Sequence, residues 1–235
     1  MRTINVPPKI KYTSITNSKL REEQYFNCII EIIKSRCFKK IVFCENSMYN
    51  GDYIVAIQEF ANKNGIMFEY LTFKSDIENV QKLGKGFGEG EILKYAMLNS
   101  KLLNDDTIFF KVTGRLIIDN LAEIIKKQRL EEDCIFINRF FKISSRYVDT
   151  RAYFMPIKIF KKYFIEAFCE CDDDKGMYLE RVYYKTIKIN KLKQKNTVLA
   201  FDYNGLSGSS GASYRITRKR LLIYNLLHKI NFFYV

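Results

Sequence analysis

The sequence predicts an α/β fold in which a mostly parallel sheet is flanked by helices. Short apolar runs alternate with longer segments whose apolar residues recur at helical spacing. This alternation is typical of parallel strands joined by crossover helices. The hydrophobic content of 47% is enough for a sizeable core and excludes a chain that is disordered throughout.

The predicted elements follow one another without an internal repeat or a long linker. Apolar residues at helical spacing predict the first helix, and Gly65 is a typical residue to end the second. Each strand is a short apolar run bounded by polar residues. Strands are predicted over residues 41–44, 67–73, 107–112, 134–138 and 152–155, and helices over residues 19–37, 51–64, 91–103, 120–130, 158–170 and 176–187.

Two parts are predicted along the chain. Residues 1–200 form the α/β domain, and residues 201–235 form a flexible segment followed by a basic amphipathic tail. The Gly- and Ser-rich stretch over residues 203–213 is either a lid that orders over a ligand or a hinge before the tail.

The net charge of +13 is concentrated near the carboxyl end. Residues 181–235 contain eleven Lys and Arg residues and one acid, Asp202, so they carry +10, and the first 180 residues carry the remaining +3. A basic segment on a nearly neutral body predicts a polyanionic partner, which is either an anionic membrane or a nucleic acid.

The tail favours the membrane as that partner. A helix over residues 217–230 places apolar residues on one face, flanks them with Arg218, Lys219 and Arg220, and is followed by Phe232, Phe233 and Tyr234. Such a helix suits the surface of an anionic bilayer. The alternative is a terminal helix that packs on its own domain. No nucleic-acid partner is expected, because no RNP, helix-turn-helix or zinc-finger signature accompanies the charge.

Other features predict a cytoplasmic protein that binds peripherally to the inner face of the membrane. No apolar run approaches the roughly 18 residues of a membrane span, and the first residues lack the apolar core of a signal peptide. The lone histidine, His228, is expected on a surface helix. Reduced and mainly buried thiols are expected for the six cysteines, Cys28, Cys37, Cys44, Cys134, Cys169 and Cys171.

Three polar clusters are predicted to meet where strands end, which is where ligands bind in such sheets. They are Glu45-Asn46-Ser47, residues 85–89 after a glycine-rich turn, and residues 111–115. A lysine, an arginine and a glycine at a strand end are what a diphosphate requires: a point charge, a fork of donors and accessible backbone N–H groups. The alternative is a turn with two solvated cations.

The same motifs resemble those of a known family. C-E-N-S at residues 44–47, K-G-x-G-E-x-E at residues 85–91 and F-x-K-x-T-G-R-x-x-I-x-N at residues 109–120 resemble bacterial glycosyltransferases of surface-polysaccharide loci. The resemblance covers about residues 40–185. It implies a GT-A-like fold and transfer of a hexosyl or related sugar from a nucleotide-sugar donor to a glycan or lipid-linked acceptor in capsule or lipopolysaccharide biosynthesis.

The resemblance also implies a donor site, formed by Glu45, Asn46, Lys85, Gly86, Lys111, Thr113, Gly114 and Arg115. The sequence departs from the common pattern of the family because no D-x-D motif follows the third strand. Lys111 and Arg115 stand there instead and neutralise the leaving diphosphate. No cofactor is therefore firmly predicted, and Mg²⁺ or Mn²⁺ is compatible with the site but not required.

An inverting transfer needs a base for the acceptor hydroxyl, and Glu180 and Asp149 are the candidates. Glu180 begins a helix and resembles the late acidic residue of the family, while its alternative role is an exposed helix residue. Asp149 precedes a strand and is alternatively a turn residue paired with Arg151. Asp172–Asp174 suits a helix cap, Glu89 and Glu91 are expected to cap a helix, and Phe87, Phe109 and Phe110 are expected in the core.

Two functions from other classes remain open at this point. One is a basic nucleic-acid-binding protein without catalysis, which the pI of about 9.3 favours. The other is a nucleotidyltransferase, for which Lys111 and Arg115 are equally suitable.

Overall fold

A computed structural model describes residues 4–6, 14–139, 146–207 and 210–229, and these residues form an α/β fold. The helices are α1 (Ser18–Ser35), α2 (Tyr53–Lys63), α3 (Ile77–Leu83), α4 (Lys85–Asn99), α5 (Leu121–Lys127), α6 (Ile157–Ile159), α7 (Leu179–Ile189) and α8 (Arg218–Lys229). The strands are β1 (Lys40–Glu45), β2 (Met67–Thr72), β3 (Ile108–Val112), β4 (Ile117–Ile118), β5 (Cys134–Arg139), β6 (Val148–Pro156), β7 (Lys193–Lys195) and β8 (Tyr203–Asn204).

The first half of the chain builds a parallel pair, β1 and β2, between helices. α1 and α2 cover one face through a cluster that includes Tyr25, Phe43 and Ile57, and α4 covers the other through Ile92 and Ala96. The connection through α2 is long enough for the crossover that parallel strands require. Gly65 follows α2 with φ +68°, which confirms it as the residue that ends the helix.

The prediction of a mostly parallel sheet is wrong for the second half of the chain. Its four strands run in the order β3-β6-β5-β7, and β6 is antiparallel to both neighbours. β5 pairs in parallel with β7, and the short pair β4 and β8 is antiparallel. The described strands therefore form mixed sheets.

The antiparallel pairing of β5 and β6 follows from the length of chain between them. Only residues 140–147 separate the two strands, and a parallel crossover needs a dozen or more residues. A connection of this length suits neighbouring antiparallel strands. The sequence contained this information, because no helix is predicted between these two strands.

Several element boundaries also differ from the prediction. α4 begins at Lys85, six residues before the expected start, so the glycine-rich segment is helical. The predicted helix over residues 158–170 is instead α6, a π-helical turn over Phe160–Phe164 and a 3-10 turn over Ala167–Glu170. The short elements α3, β4, β7 and β8 were not predicted.

The carboxyl-terminal segment packs on the second sheet. Leu199, Phe201 and Tyr203 join a buried cluster with residues of β5, β6 and α5. The predicted division at residue 200 stays a prediction, but residues on both sides of it share this cluster. The expectation that His228 lies at the surface is wrong, because the side chain is buried and its Nδ1 lies 3.0 Å from the carbonyl oxygen of Thr197.

α8 occupies most of the predicted tail helix. The predicted continuation through Ile230, Phe232, Phe233 and Tyr234 lies outside the described residues. In the described part of the chain, no helix is both long and apolar enough to cross a bilayer. The six cysteines are free thiols, and four of them are buried, as predicted.

Candidate functional site

The amino-terminal half of α4, which carries one of the predicted polar clusters, packs closely against neighbouring elements. A Cβ atom on Gly90 would lie 2.0 Å from Cβ of Phe168, and one on Gly86 would lie 3.0 Å from the backbone nitrogen of Leu179. A Cβ atom on Gly88 would lie 3.3 Å from a methyl carbon of Val80. These glycines are therefore required for close packing of α4 on its neighbours, rather than for a turn.

A buried ion pair links α4 to β3. The Lys111 ammonium contacts the Glu89 carboxylate and the carbonyl oxygen of Thr150, and it lies 3.2 Å from Oγ1 of Thr113. The side chains of Lys111 and Glu89 are 0% and 4% exposed. Two charges are tolerated at this depth only when they are paired and hydrogen-bonded. The pair therefore fixes the position of α4 against β3 and β6.

This arrangement gives Lys111 and Glu89 roles that the sequence analysis did not assign. Glu89 was expected to cap a helix, but it lies on the second turn of α4 and pairs with Lys111 instead. The ammonium of Lys111 is enclosed by protein groups, so its contact with a diphosphate stays a prediction. The sequence shows one lysine in an apolar strand and one glutamate in a glycine-flanked segment, but no local pattern pairs the two.

The turn after β3 is held by contacts to two neighbouring elements, β6 and α1. The backbone nitrogen of Thr113 donates to the carbonyl oxygen of Arg151 at 2.8 Å. Nη1 of Arg115 donates to Oε1 of Gln24 on α1 at 3.0 Å. Cys28, also on α1, donates from its thiol to the carbonyl oxygen of Leu116 at 3.0 Å. Burial raises the pKa of this thiol to about 12, so it stays protonated in this contact.

Glu180 lies beside the buried ion pair. It is in the first turn of α7, is half-buried, and accepts a hydrogen bond from Oγ1 of Thr150 at 3.2 Å. The carbonyl oxygen of the same threonine accepts from Lys111. Thr150 therefore connects the end of β3 to a half-buried carboxylate.

Asp149 is engaged with Arg151, which is the alternative role considered from the sequence. The guanidinium donates from Nε and Nη2 to the two carboxylate oxygens at 2.8 and 2.7 Å, and the hydroxyl of Tyr203 donates to Oδ2 at 3.1 Å. The Arg151 guanidinium carbon lies 4.2 Å from the ring centre of Tyr203 and 4.7 Å from that of Tyr214. These contacts tie the predicted lid or hinge segment to β6.

Burial and neighbouring charges shift the pKa values of Arg151 and Tyr203. Burial is the largest single influence on Arg151 and opposes its charged form, but Asp149, Tyr203 and Tyr214 together outweigh burial and hold the pKa of the guanidinium above its ordinary value. Burial, and then the charge of Asp149, raise the pKa of Tyr203 well above its ordinary value. Tyr203 is therefore a neutral donor to Asp149 over the physiological pH range.

Glu45 organises the loop after β1. Its carboxylate accepts from the backbone nitrogens of Ser47 and Tyr49 at 2.8 and 2.9 Å, and from the hydroxyls of Ser47 and Thr72. The hydroxyl of Tyr70 lies 3.3 Å from Oε1 and donates its proton to the carbonyl oxygen of Tyr49 at 2.6 Å. Four donors occupy the lone-pair sites of this buried carboxylate. Asn46 donates to Oγ of Ser75 at 2.9 Å. Glu45 therefore holds the loop after β1 in place, and its contact with a nucleotide-sugar donor stays a prediction.

Two aspartates of the 172–174 run act as caps, and one of them, Asp173, holds the start of α4. The backbone nitrogen of Lys85 donates to Oδ2 of Asp173 at 3.0 Å, and Asp172 accepts from the backbone nitrogen of Lys175 as the cap of a 3-10 turn. These roles agree with the capping interpretation of the run. Glu91 does not cap its own helix, because it accepts from the backbone nitrogen of Asp76 at 3.0 Å.

The structure brings some of the predicted site residues into direct contact and leaves others in separate groups. Lys111, Thr113, Thr150 and Glu180 form one connected group, and Asp149 belongs to the adjoining group around Arg151. Arg115 contacts α1, and Arg218, Lys219 and Arg220 are exposed on α8. Sequence reasoning missed Thr150 and the aromatic partners of Arg151, since hydroxyl and ring contacts leave no local pattern in a sequence.

Comparisons with known proteins do not identify a family. No protein-family model matches the chain, and no curated protein is significantly similar to it. Among the described residues, no group of three or more His, Cys, Asp or Glu side chains is arranged to hold a metal ion.

Proposed function

We propose that this chain is a glycosyltransferase that moves a sugar from a nucleotide-sugar donor to a hydroxyl of a glycan or lipid-linked acceptor in capsule or lipopolysaccharide biosynthesis. The observation that carries the proposal is the connection, through Thr150, between the cationic end of β3 and the half-buried Glu180. It supports the proposal because the turn to which we assign anion binding then lies close to the carboxylate that we assign as the base. Group transfer from a diphosphate needs this combination.

The donor diphosphate is assigned to the turn after β3. Arg115 offers a planar fork of donors, and Gly114 allows a ligand to approach the backbone closely. Lys111 contributes its positive charge to this turn from the interior, because its ammonium is held by Glu89 and Thr150. Glu45, Asn46, Lys85 and Gly86 complete the proposed donor site on the side of β1 and α4.

The proposed reaction uses Glu180 as the general base. Its carboxylate takes the proton of the acceptor hydroxyl while that oxygen forms a bond to the anomeric carbon. The bond from this carbon to the diphosphate breaks, and the nucleoside diphosphate leaves with the electron pair. This route inverts the configuration of the sugar.

Asp149 is the less suitable base of the two predicted candidates. Both of its oxygens already accept from Arg151, and Oδ2 also accepts from Tyr203. A proton acceptor needs an oxygen that can face the substrate. We assign to Asp149 the positioning of Arg151 and of the segment that carries Tyr203 and Tyr214.

A peripheral location at the inner face of the cytoplasmic membrane forms part of the proposal. Leu222, Ile223 and Leu226 on α8 are 68%, 57% and 61% exposed, although the helix is docked on the protein through Asn225 and His228. Exposed apolar residues beside Arg218, Lys219 and Arg220 are suited to a bilayer surface. A lipid-linked acceptor would be reached from that surface.

The deciding experiment is a screen of nucleotide sugars by thermal shift, followed by product analysis. A true donor at about 100 times its Kd should stabilise the folded chain by roughly 2.7 kcal/mol. Arg115→Lys should weaken this stabilisation, because a point charge does not replace a bidentate fork. The control is Lys63→Ala, which changes an exposed cation at the end of α2.

The products separate the proposed activity from its rivals. Transfer of the sugar to an acceptor supports glycosyl transfer, and transfer of the nucleotide would instead establish a nucleotidyltransferase. If no nucleotide sugar stabilises the chain and it binds nucleic acid with a steep salt dependence, the proposal fails.

A further inference from the structure

A cavity of about 490 Å³ lies between β1 and β3, outside the proposed catalytic group of Thr150 and Glu180. Residues of both strands line it, α1 contributes Ile29 and Ile32, and α4 contributes Ala96 and Met97. Among the described residues, β1 pairs only with β2 and β3 pairs only with β6. We call this space the inter-sheet cavity.

Apolar strand residues at the inter-sheet cavity are only half-buried. Ile41 and Val42 on β1 and Ile108, Phe109 and Phe110 on β3 line it and keep part of their surface exposed, while Phe43, which also lines it, is buried. Strands covered by helices on both faces normally bury such residues. Both strands therefore leave some apolar surface exposed at the cavity.

Charge distinguishes this cavity from a simple gap in packing. Apart from thiols, the ionisable side chains that line it among the described residues are three lysines. Lys111 is already held by Glu89, while Lys39 and Lys40 are exposed just before and at the start of β1. An apolar space of this size with two cations at one end is complementary to an amphiphile with a negative head.

We propose that the inter-sheet cavity binds the alkyl or prenyl chain of a lipid phosphate, with the phosphate at Lys39 and Lys40. Lys39 and Lys40 are consecutive in the chain and both line the cavity. Two ammonium groups match a phosphate, which carries up to two negative charges, better than a carboxylate, which carries one. The chain removes the half-buried surface of β1 and β3 from water. The cavity shares Lys111 and Gly114 with the proposed donor site. Its test does not use activity, so the lipid proposal and the proposed glycosyl transfer can fail separately.

The test is calorimetric titration of the full chain with decyl phosphate below its micelle-forming concentration, beside decanol and inorganic phosphate. Decyl phosphate should bind about tenfold or more tightly than either of the other two, because only it uses both the chain and the charge. Equal binding of inorganic phosphate would show a surface anion site and overturn the proposal.

Substitutions locate the bound chain. The protein contains no tryptophan, so Val42→Trp both fills the inter-sheet cavity and introduces a single fluorescent reporter. This variant should lose decyl phosphate binding by about tenfold or more. The matched control is Val55→Trp at an exposed position of α2, which should bind as the unchanged protein does. Unchanged binding by Val42→Trp would contradict the proposal.

Two further variants keep the test decisive if Val42→Trp fails to fold. Lys39→Ala with Lys40→Ala should weaken decyl phosphate but not decanol, and Lys63→Ala with Lys126→Ala is the control at exposed sites of α2 and α5. Leu222→Ser with Leu226→Ser should leave binding unchanged. If the α8 variant loses binding instead, the amphiphile binds that helix and the inter-sheet cavity is not its site.

Discussion

The pairing of Lys111 with Glu89 is the contact on which the candidate site depends most. Both side chains are buried, and their charges are satisfied by one another and by Thr150. Removing one partner leaves an uncompensated charge in the interior, whereas removing both leaves neither charge buried. The loss of stability in the double variant should therefore be smaller than the sum of the losses in the two single variants.

We expect Lys111→Met to lower the free energy of unfolding by about 3–5 kcal/mol, because it removes the ammonium that pairs with the buried Glu89 carboxylate. Glu89→Gln in the same chain should recover a substantial part of that loss. The measurement is urea unfolding of the two single variants and the double variant. Additive losses would show that the two charges are not energetically coupled.

At Glu180, substitution should separate chemistry from folding. Glu180→Gln keeps the shape and the contact with Thr150 but removes the base, so turnover should fall by about 10²–10⁴ with donor binding retained. Glu170→Gln, at an exposed residue paired with Lys185, is the matched control and should be near normal. Near-normal turnover of Glu180→Gln would exclude this residue as the base.

Individual site residues were only partly predictable from the sequence. Lys111, Thr113 and Glu180 were selected because of where strands and helices were expected to end, and the structure places them in one connected group. The partners of these residues were not predictable, since Thr150 and Glu89 meet Lys111 only through tertiary packing. A local pattern contains no information about such long-range contacts.

The glycines of α4 set how closely this helix approaches its neighbours. Alanine normally favours a helix over glycine by about 1 kcal/mol. At Gly90 alanine should instead destabilise the protein, because a Cβ atom there would lie 2.0 Å from Cβ of Phe168. Gly90→Ala should lower the free energy of unfolding by about 1–3 kcal/mol.

Gly88→Ala provides the matched control on the same helix. Its Cβ atom would meet a terminal methyl of Val80 at 3.3 Å, which small movements of that side chain relieve. We expect a change within about 1 kcal/mol of zero, as the helix gain offsets the tighter contact. Equal destabilisation by both variants in urea unfolding would contradict this interpretation.

The docking of α8 should depend on pH through His228. Burial lowers the pKa of this imidazole below its ordinary value of 6.5, so the docked helix favours the neutral ring. The stability that docking provides is complete above pH 6.5 and is lost as pH falls through the lowered pKa. Amide hydrogen exchange of α8, corrected for the intrinsic effect of pH, should therefore accelerate on acidification.

His228→Gln is the control for this pH dependence. Glutamine retains hydrogen-bonding capacity but does not titrate, so exchange of α8 amides should lose its additional acceleration between pH 7 and pH 5. The same acceleration in the variant would assign it to a group other than His228.

At the scale of elements, the sequence predicted α1, α2, β1, β2 and β3 with small boundary errors, because each has a clear period and a recognisable end. The start of α4 was missed because glycine has poor intrinsic helix propensity, and tertiary packing overrides that preference at Gly86, Gly88 and Gly90. The segment after β6 was predicted as one helix, but it breaks into short turns that no simple period describes.

For the whole molecule, charge and exposed apolar surface predict reversible binding to anionic membranes. Basic residues gain about 1 kcal/mol each near such a surface, and the apolar face of α8 inserts shallowly. In flotation assays, binding should be stronger to anionic than to neutral vesicles and should fall with salt. Neutralising Arg218, Lys219 and Arg220 should reduce it.

The control for membrane binding neutralises the same number of exposed cations elsewhere, at Lys63, Lys82 and Lys126. This variant has the same net charge but an intact α8, so it should float better than the variant of Arg218, Lys219 and Arg220. Equal flotation of the two would show that overall charge, and not α8, controls binding.

The α/β class was predictable for the whole molecule, but the mixed sheet was not recognised. Periodicity identifies strands and gives no direct information about their direction or neighbours. The strand order β3-β6-β5-β7 joins segments that are distant in the sequence, and only the short link between β5 and β6 indicated the antiparallel return.

The same strand order has a consequence for synthesis on the ribosome. The β1 and β2 pair and its helices are complete once α4 has emerged, so this half can fold while the rest is being made. β3 must wait for its described partner β6, which ends only at Pro156. During that interval the apolar strand Ile108–Val112 is exposed, so nascent chains paused between β3 and β6 are the ones we expect to recruit chaperones.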